Sequence, residues 1–270
     1  MFLRPLALAT LFLAALPVAA RADDARRLGD LLAFPEIVEI MREEGLAHGE
    51  TLAEDSLPGR VPGSWRATLD RIYDAERMEA TLRRALAEAL EGTDVTPLVA
   101  YFEREEAQRI VGLEVSARRA MADPAVEAEA RAAAEARPPD DPRRRLVERF
   151  VETGDLVEAN VAGALNGQYL FFRGMADGGG LELSEAEMID MVWAQEEETR
   201  RDTREWLMGF LLLAYGPVEE AALERYVSEA ASQEGQALNR ALFAGFDAMF
   251  AEISYAMGRA LAAEMQMQDL

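Results

Sequence analysis

The sequence contains no cysteine, no lysine and a single histidine, His48. Each absence removes a class of chemistry. Without cysteine there are no disulfides, no thiolate metal sites and no thiol nucleophile. Without lysine there is no Schiff-base catalysis and no lysine for a phosphate-binding P-loop. A serine–histidine triad has only His48 to draw on, and a zinc site needing two or three histidines cannot be assembled. All basic residues are arginines, 28 of them against 50 acids, for a formal charge of −22. That surplus repels phosphate backbones, and no basic stripe interleaved with aromatics offsets it. Nucleic acid is therefore excluded as an expected partner. No sequence feature calls for a cofactor or a metal, and no acidic loop has EF-hand spacing.

What is present begins with a leader. Arg4 supplies a positive start, Leu6 to Leu16 an apolar core, Pro17 a break, and Ala20-Arg21-Ala22 small residues at the two positions read by signal peptidase. This predicts a signal peptide over 1–22, cleaved after Ala22, and a periplasmic protein with no stable membrane insertion after cleavage. The remaining 23–270 read as one all-helical domain.

Apolar residues recur at helical spacing nearly throughout, so the fold class is all-α. Pro35 suits the first turn of a helix carrying Ile37, Val38, Ile40, Met41, Leu46 and Leu52, with His48 among glutamates. Ser64 is positioned to cap a helix with the stripe Trp65, Leu69, Ile72, Met78, Leu82, Leu86 and Leu90, which Gly92 ends. Thr96-Pro97 and Asp123-Pro124 start two more, and Arg137 to Pro142 is a hydrophilic loop that could act as a hinge. Ser184 and Glu187 have capping-box spacing, and Ser232 caps the last long helix. The chain from Trp206 to Tyr215 is apolar on every face, which predicts an enclosed helix at the centre of the bundle. At about 1.5 Å per residue it spans about 15 Å, half a bilayer core. The expectation is a bundle of about eight to ten helices around 206–215.

Candidate functional residues are few. Asn160, Asn166, Gln168 and Asn239 lie in apolar surroundings, where an amide must either bond a helix terminus or line a pocket. Gly163, Gly167 and Gly174 fall near one side of their helix and would admit another backbone closely. Glu114 and Arg118 have the acid-first spacing of an intrahelical ion pair. Glu196–Arg200 and Glu197–Arg201 have the same spacing in a charge ladder, and whether the helix breaks between Gln195 and Glu198 is left open.

Several segments, Leu113-Glu114-Val115-Ser116-Ala117-Arg118, Asn160-Val161-Ala162-Gly163-Ala164-Leu165-Asn166, Leu213-Ala214-Tyr215-Gly216-Pro217 and Gly235-Gln236-Ala237-Leu238-Asn239, give the chain a resemblance to a family. It resembles exported, all-helical proteobacterial proteins classed as a domain of unknown function. The resemblance implies an exported helical fold and carries no activity.

The function these features favour is non-catalytic: a periplasmic protein binding a protein, a peptide or a small apolar ligand. Trp206, Tyr215, Asn160, Asn166, Asn239, Glu114 and Arg118 are the binding candidates. One alternative is a hydrolase or lyase using paired carboxylates, drawn from Glu114, Glu196 and Asp70. The other is a structural or envelope-stress component with no ligand.

Overall fold

A computed structural model describes residues 18–57 and 61–268, so most of the leader lies outside the described residues. Every regular element among them is a helix: α1 (Val18–Leu31), α2 (Phe34–Ser56), α3 (Gly63–Ile72), α4 (Ala75–Ala89), α5 (Thr96–Phe102), α6 (Glu105–Ala120), α7 (Pro124–Ala136), α8 (Pro142–Thr153), α9 (Leu156–Asp177), α10 (Glu185–Trp193), α11 (Glu196–Ala214), α12 (Glu220–Ala230) and α13 (Gln233–Gln268). None is long and apolar enough to cross a membrane.

The all-α bundle agrees with the apolar periodicity, but it has more helices than the eight to ten expected, because polar residues interrupt stripes that read as continuous. The stripe from Trp65 to Leu90 breaks after Tyr73, where the Asp74 carboxylate accepts from the Arg77 N–H at 2.8 Å and caps a new helix. The open question at Gln195 resolves as a break: α10 ends at Trp193 and α11 begins at Glu196. Local chemistry sets other starts as expected. Ser184 and Glu187 form a full capping box, Asp123 caps α7, and the Ser232 hydroxyl accepts from the Gly235 N–H at 2.9 Å. Two starts differ: Asp94 rather than Thr96 receives the free N–H before α5, and α3 begins at Gly63 without a side-chain cap.

The anticipated hinge is a short turn. Arg137 donates to Asp141 at 3.2 Å across it, and Asp141 caps α8 through the Arg144 N–H.

One cluster of buried side chains, from Leu28 to Ala262, joins the elements. The longest helix, α13, is the element it is built around: it packs on α9 and α4, and touches α3, α5 and α12. Glycines permit the closest approaches. A Cβ at Gly258 would fall on the backbone carbonyl of Phe171, and one at Gly174 on that of Tyr255, so α9 and α13 touch backbone to backbone. Contacts advance together, from Gly163 at Asp247 to Gly178 at Ala262, so these two helices run parallel.

The apolar run 206–215 occupies the C-terminal half of α11 and its cap residue Tyr215, and α11 as a whole packs against α7, α9, α6 and α8. Leu207, Gly209, Leu211, Leu212, Ala214 and Tyr215 are buried, Trp206, Met208 and Phe210 are half-buried, and Leu213 is 40 % exposed. It contributes a deep face to the core, whereas α13 spans it.

Candidate functional site

The small residues of α9 leave space beside α13. Ala159, Gly163 and Gly167 repeat every fourth position, with Ala164 next to them, and these side chains are too small to reach the opposite wall. A cavity of about 830 Å³ results, bounded by α9, α2 and α13. From α2 come Met41, Gly45, His48 and Leu52, one helical stripe, and from α13 come Phe243, Phe246, Phe250 and Met257, another. Tyr73 closes one side, with its ring over Gly45, where any Cβ would collide with it. Burial pushes the Tyr73 hydroxyl up to about 12.

Polar groups punctuate this apolar wall. Asp247 follows Phe243 by one turn and is half-buried, its Oδ1 lying against the backbone at Gly163. No hydrogen bond or ion pair holds its carboxylate among the described residues. Burial raises its pKa above the ordinary aspartate value. His48, exposed, and Ser254 also line the cavity. Asn160 is exposed and donates to the Leu156 carbonyl at 2.7 Å in its own helix. Gln168 donates to Gln195 at 3.0 Å, tying α9 to the break between α10 and α11.

Arg118 also lines this cavity, with a partner the spacing did not predict. Its Nη2 pairs with Glu44 Oε2 at 2.5 Å across to α2, and its guanidinium carbon lies 4.9 Å from the Trp206 ring centroid. Nε is buried without a hydrogen-bond acceptor among the described residues. The face of the indole offers the cation an electrostatic partner instead. Trp206 is stacked in turn on Phe210, centroids 5.0 Å apart.

A second, smaller cavity of about 210 Å³ adjoins the first, and Asn239, Leu242 and Phe246 line both. Its centre of interest is Glu114. The expected ion pair with Arg118 is replaced by two tyrosines from elsewhere in the chain: the Tyr215 hydroxyl donates to Glu114 Oε1 at 2.6 Å and the Tyr226 hydroxyl to the same oxygen at 3.1 Å. Burial raises the Glu114 carboxyl above its ordinary value, and the two tyrosine donors act in the opposite direction without cancelling it. Burial, with Glu114 close by, puts both hydroxyls well above 10. Glu114 is half-buried and forms part of the wall of this cavity.

Rings surround this carboxyl. Phe150 lies 6.0 Å from Tyr215 and 5.8 Å from Tyr226, and Tyr101 packs edge-on to Phe102 at 5.3 Å. Asn239 donates to the Gly154 carbonyl at 2.6 Å, joining α13 to the end of α8. That is the helix-terminus role open to a buried amide, performed in the wall between the two cavities.

Of the residues singled out by sequence, Asn160, Asn239 and Arg118 line the large cavity, and Glu114 and Asn239 the small one. Tyr215 and Trp206 stand behind them as direct partners of Glu114 and Arg118. Asn166 is exposed and lines neither cavity. The three acids considered for paired catalysis are not brought together: Asp70 pairs with Arg42 at 3.0 Å, Glu196 with Arg200 at 2.7 Å, and Glu114 with its tyrosines. Missed as site residues were the phenylalanines of α13, Asp247, Tyr226 and Glu229. Asp247 carried a readable signal, an acid set within the stripe Phe243, Phe246 and Phe250.

Among the described residues no group of three or more histidine, aspartate or glutamate side chains is arranged to hold a metal ion. No family model, no curated protein and no solved structure matches the chain.

Proposed function

We propose that the protein is a non-catalytic binding protein of the periplasm, and that the large cavity between α2, α9 and α13 holds a small, mostly apolar ligand. The observation that carries this reading is the cavity itself. Its roughly 830 Å³ falls inside the range of about 300–1,000 Å³ usual for small-molecule sites. Phenylalanine, leucine, isoleucine and methionine side chains make up the apolar part of its walls, and as many polar or charged residues, among them Asn160, Gln168 and Asp247, stand between them to fix orientation. Export through the leader over 1–22, and kinship with the exported helical family it resembles, belong to the same proposal.

The test is native mass spectrometry of protein isolated from its own periplasm, followed by titration with the uncharged fluorescent probe N-phenylnaphthylamine. A reproducible extra mass and stoichiometric probe binding are expected. Ala164→Trp, which places an indole at the cavity wall, should abolish both while leaving thermal unfolding cooperative. A folded protein that carries no extra mass and binds no probe overturns the reading.

A further inference from the structure

We infer that the small cavity is a second binding site, for a small organic cation of the quaternary ammonium or protonated amine type, with the Glu114 carboxylate as its counter-ion. The inference is independent of what the large cavity holds.

Charge is the first argument. Two carboxylic side chains, Glu114 and Glu229, line this cavity, and no arginine or histidine does among the described residues. Arg118, one helical turn from Glu114, could have neutralised it but is committed to Glu44. The described residues that line the space thus carry acids and no base, which favours a cation over an anion, although Arg104 lies 5.1 Å from the ring centroid of Tyr101.

Hydrogen bonding is the second. Both tyrosine hydroxyls donate to Oε1 of Glu114, and Oε2 has no partner among the described residues. An acceptor left in an apolar enclosure is costly unless something donates to it or carries opposite charge. Oε2 is not sealed off, since Arg118 Nε is the only buried side-chain polar atom without a partner among the described residues, but a cation would give this open oxygen an opposite charge that a purely apolar occupant would not.

The walls are the third. Tyr101, Phe102, Phe150 and Tyr226 form a connected group of rings, with centroid separations of 5.3 to 6.5 Å, and Phe34 and Phe246 also line the space. Arg104 already lies against Tyr101 and Arg83 against Phe34, which leaves Phe102, Phe150, Tyr226 and Phe246 without such a partner among the described residues. Aromatic faces carry negative electrostatic potential and attract cations, most strongly when water is excluded. Size agrees as well. At 210 Å³ the space equals about seven water volumes of roughly 30 Å³, which suits a headgroup and is too little for a drug-sized molecule.

The decisive experiment compares choline with dimethylbutanol, its uncharged isostere in which carbon replaces nitrogen, by calorimetry at fixed ionic strength. Choline should bind about thirty-fold more tightly, the equivalent of a desolvated cation–ring interaction. Glu114→Gln should erase that preference, while Glu105→Gln, an exposed acid on the same helix, should leave it intact. Cooperative unfolding and retained N-phenylnaphthylamine binding by Glu114→Gln would show that its fold and its large cavity survive. Equal affinity for the two compounds, undiminished choline binding by Glu114→Gln, or no choline binding at millimolar concentration would each overturn the assignment.

Discussion

Replacing Tyr215 by Phe removes one hydroxyl and nothing else from a fully buried ring, so its cost measures the hydrogen bond to Glu114 and, through it, the charge that Glu114 bears. Burial makes this carboxyl harder to ionise in the folded chain than in the unfolded one. A group with its folded pKa raised contributes stability that is complete below the unfolded pKa. It loses that contribution as pH climbs through the folded pKa. The bond from Tyr215 changes in the opposite sense. Against a neutral acid it is worth about 0.5–1.5 kcal/mol, and against a carboxylate about 1.5–3 kcal/mol, because the acceptor is then charged. Tyr215→Phe should therefore cost about 1 kcal/mol at the acid end of a pH series, where Glu114 is protonated, and about 1.5–3 kcal/mol wherever Glu114 is ionised. Tyr226→Phe, which removes the longer 3.1 Å bond to the same oxygen, should cost less at each pH. Both tyrosines titrate well above 10, so neither ionises over this range. Urea denaturation at a series of pH values, with the m-value checked for constancy, supplies the numbers. In a Glu114→Gln background the pH dependence of the tyrosine's cost should vanish. A cost that is the same in acid and alkali, or a Tyr226→Phe penalty above that of Tyr215→Phe, would refute the description of this cluster.

Three further outcomes follow from the geometry. Gly258→Ala forces a Cβ onto the Phe171 backbone and should destabilise by about 1–3 kcal/mol or more, since backbone cannot step aside. Gly112→Ala, on α6 with nothing within 4 Å, should instead stabilise by about 0.5–1 kcal/mol, and thermal unfolding of the two variants side by side checks the contrast. If the leader is processed as its sequence reads, the intact mass of the exported protein should correspond to a chain beginning at Asp23.

Much of the fold was legible because it is written in local signals. Proline at first turns, aspartate and serine at caps, and apolar residues three and four apart act over a single helix, and the capping box at Ser184 came out as read. Identifying the central element was harder. The decapeptide 206–215 stands out by density of apolar residues, but centrality depends on how many partners a helix can reach. The reach of α13 comes from its length and from glycines such as Gly245, set against Leu82, and Gly258, set against Phe171. The sites show the same division. Spacing singled out Glu114 and Arg118 but paired them with each other, whereas their actual partners stand 101 and 74 positions away, on helices that only the fold brings near. Asn166 lies outside both cavities although Ala159, seven positions earlier and so on the same side of α9, lines the large one, because the extent of a cavity along a helix depends on what packs opposite it.

The wall between the two cavities gives the arrangement its sharpest test. Asn239, Leu242 and Phe246 are spaced three and four apart, so one face of α13 serves both spaces. Only Asn239 holds that face by a directional bond, its 2.6 Å donation to the Gly154 carbonyl at the end of α8. Asn239→Ala removes the donor and part of the partition together. The lost bond should cost about 1 kcal/mol, with more to come from the carbonyl left short of a partner. Its effect on binding should be shared: N-phenylnaphthylamine in the large cavity and choline in the small one should both bind more weakly. Glu114→Gln, by contrast, should affect choline alone, and Ala164→Trp the naphthylamine alone. Asn239→Asp should be worse than Asn239→Ala, since it turns a carboxylate toward a carbonyl oxygen. An Asn239→Ala protein that loses one ligand and binds the other unchanged would show that the two spaces do not depend on this face in common.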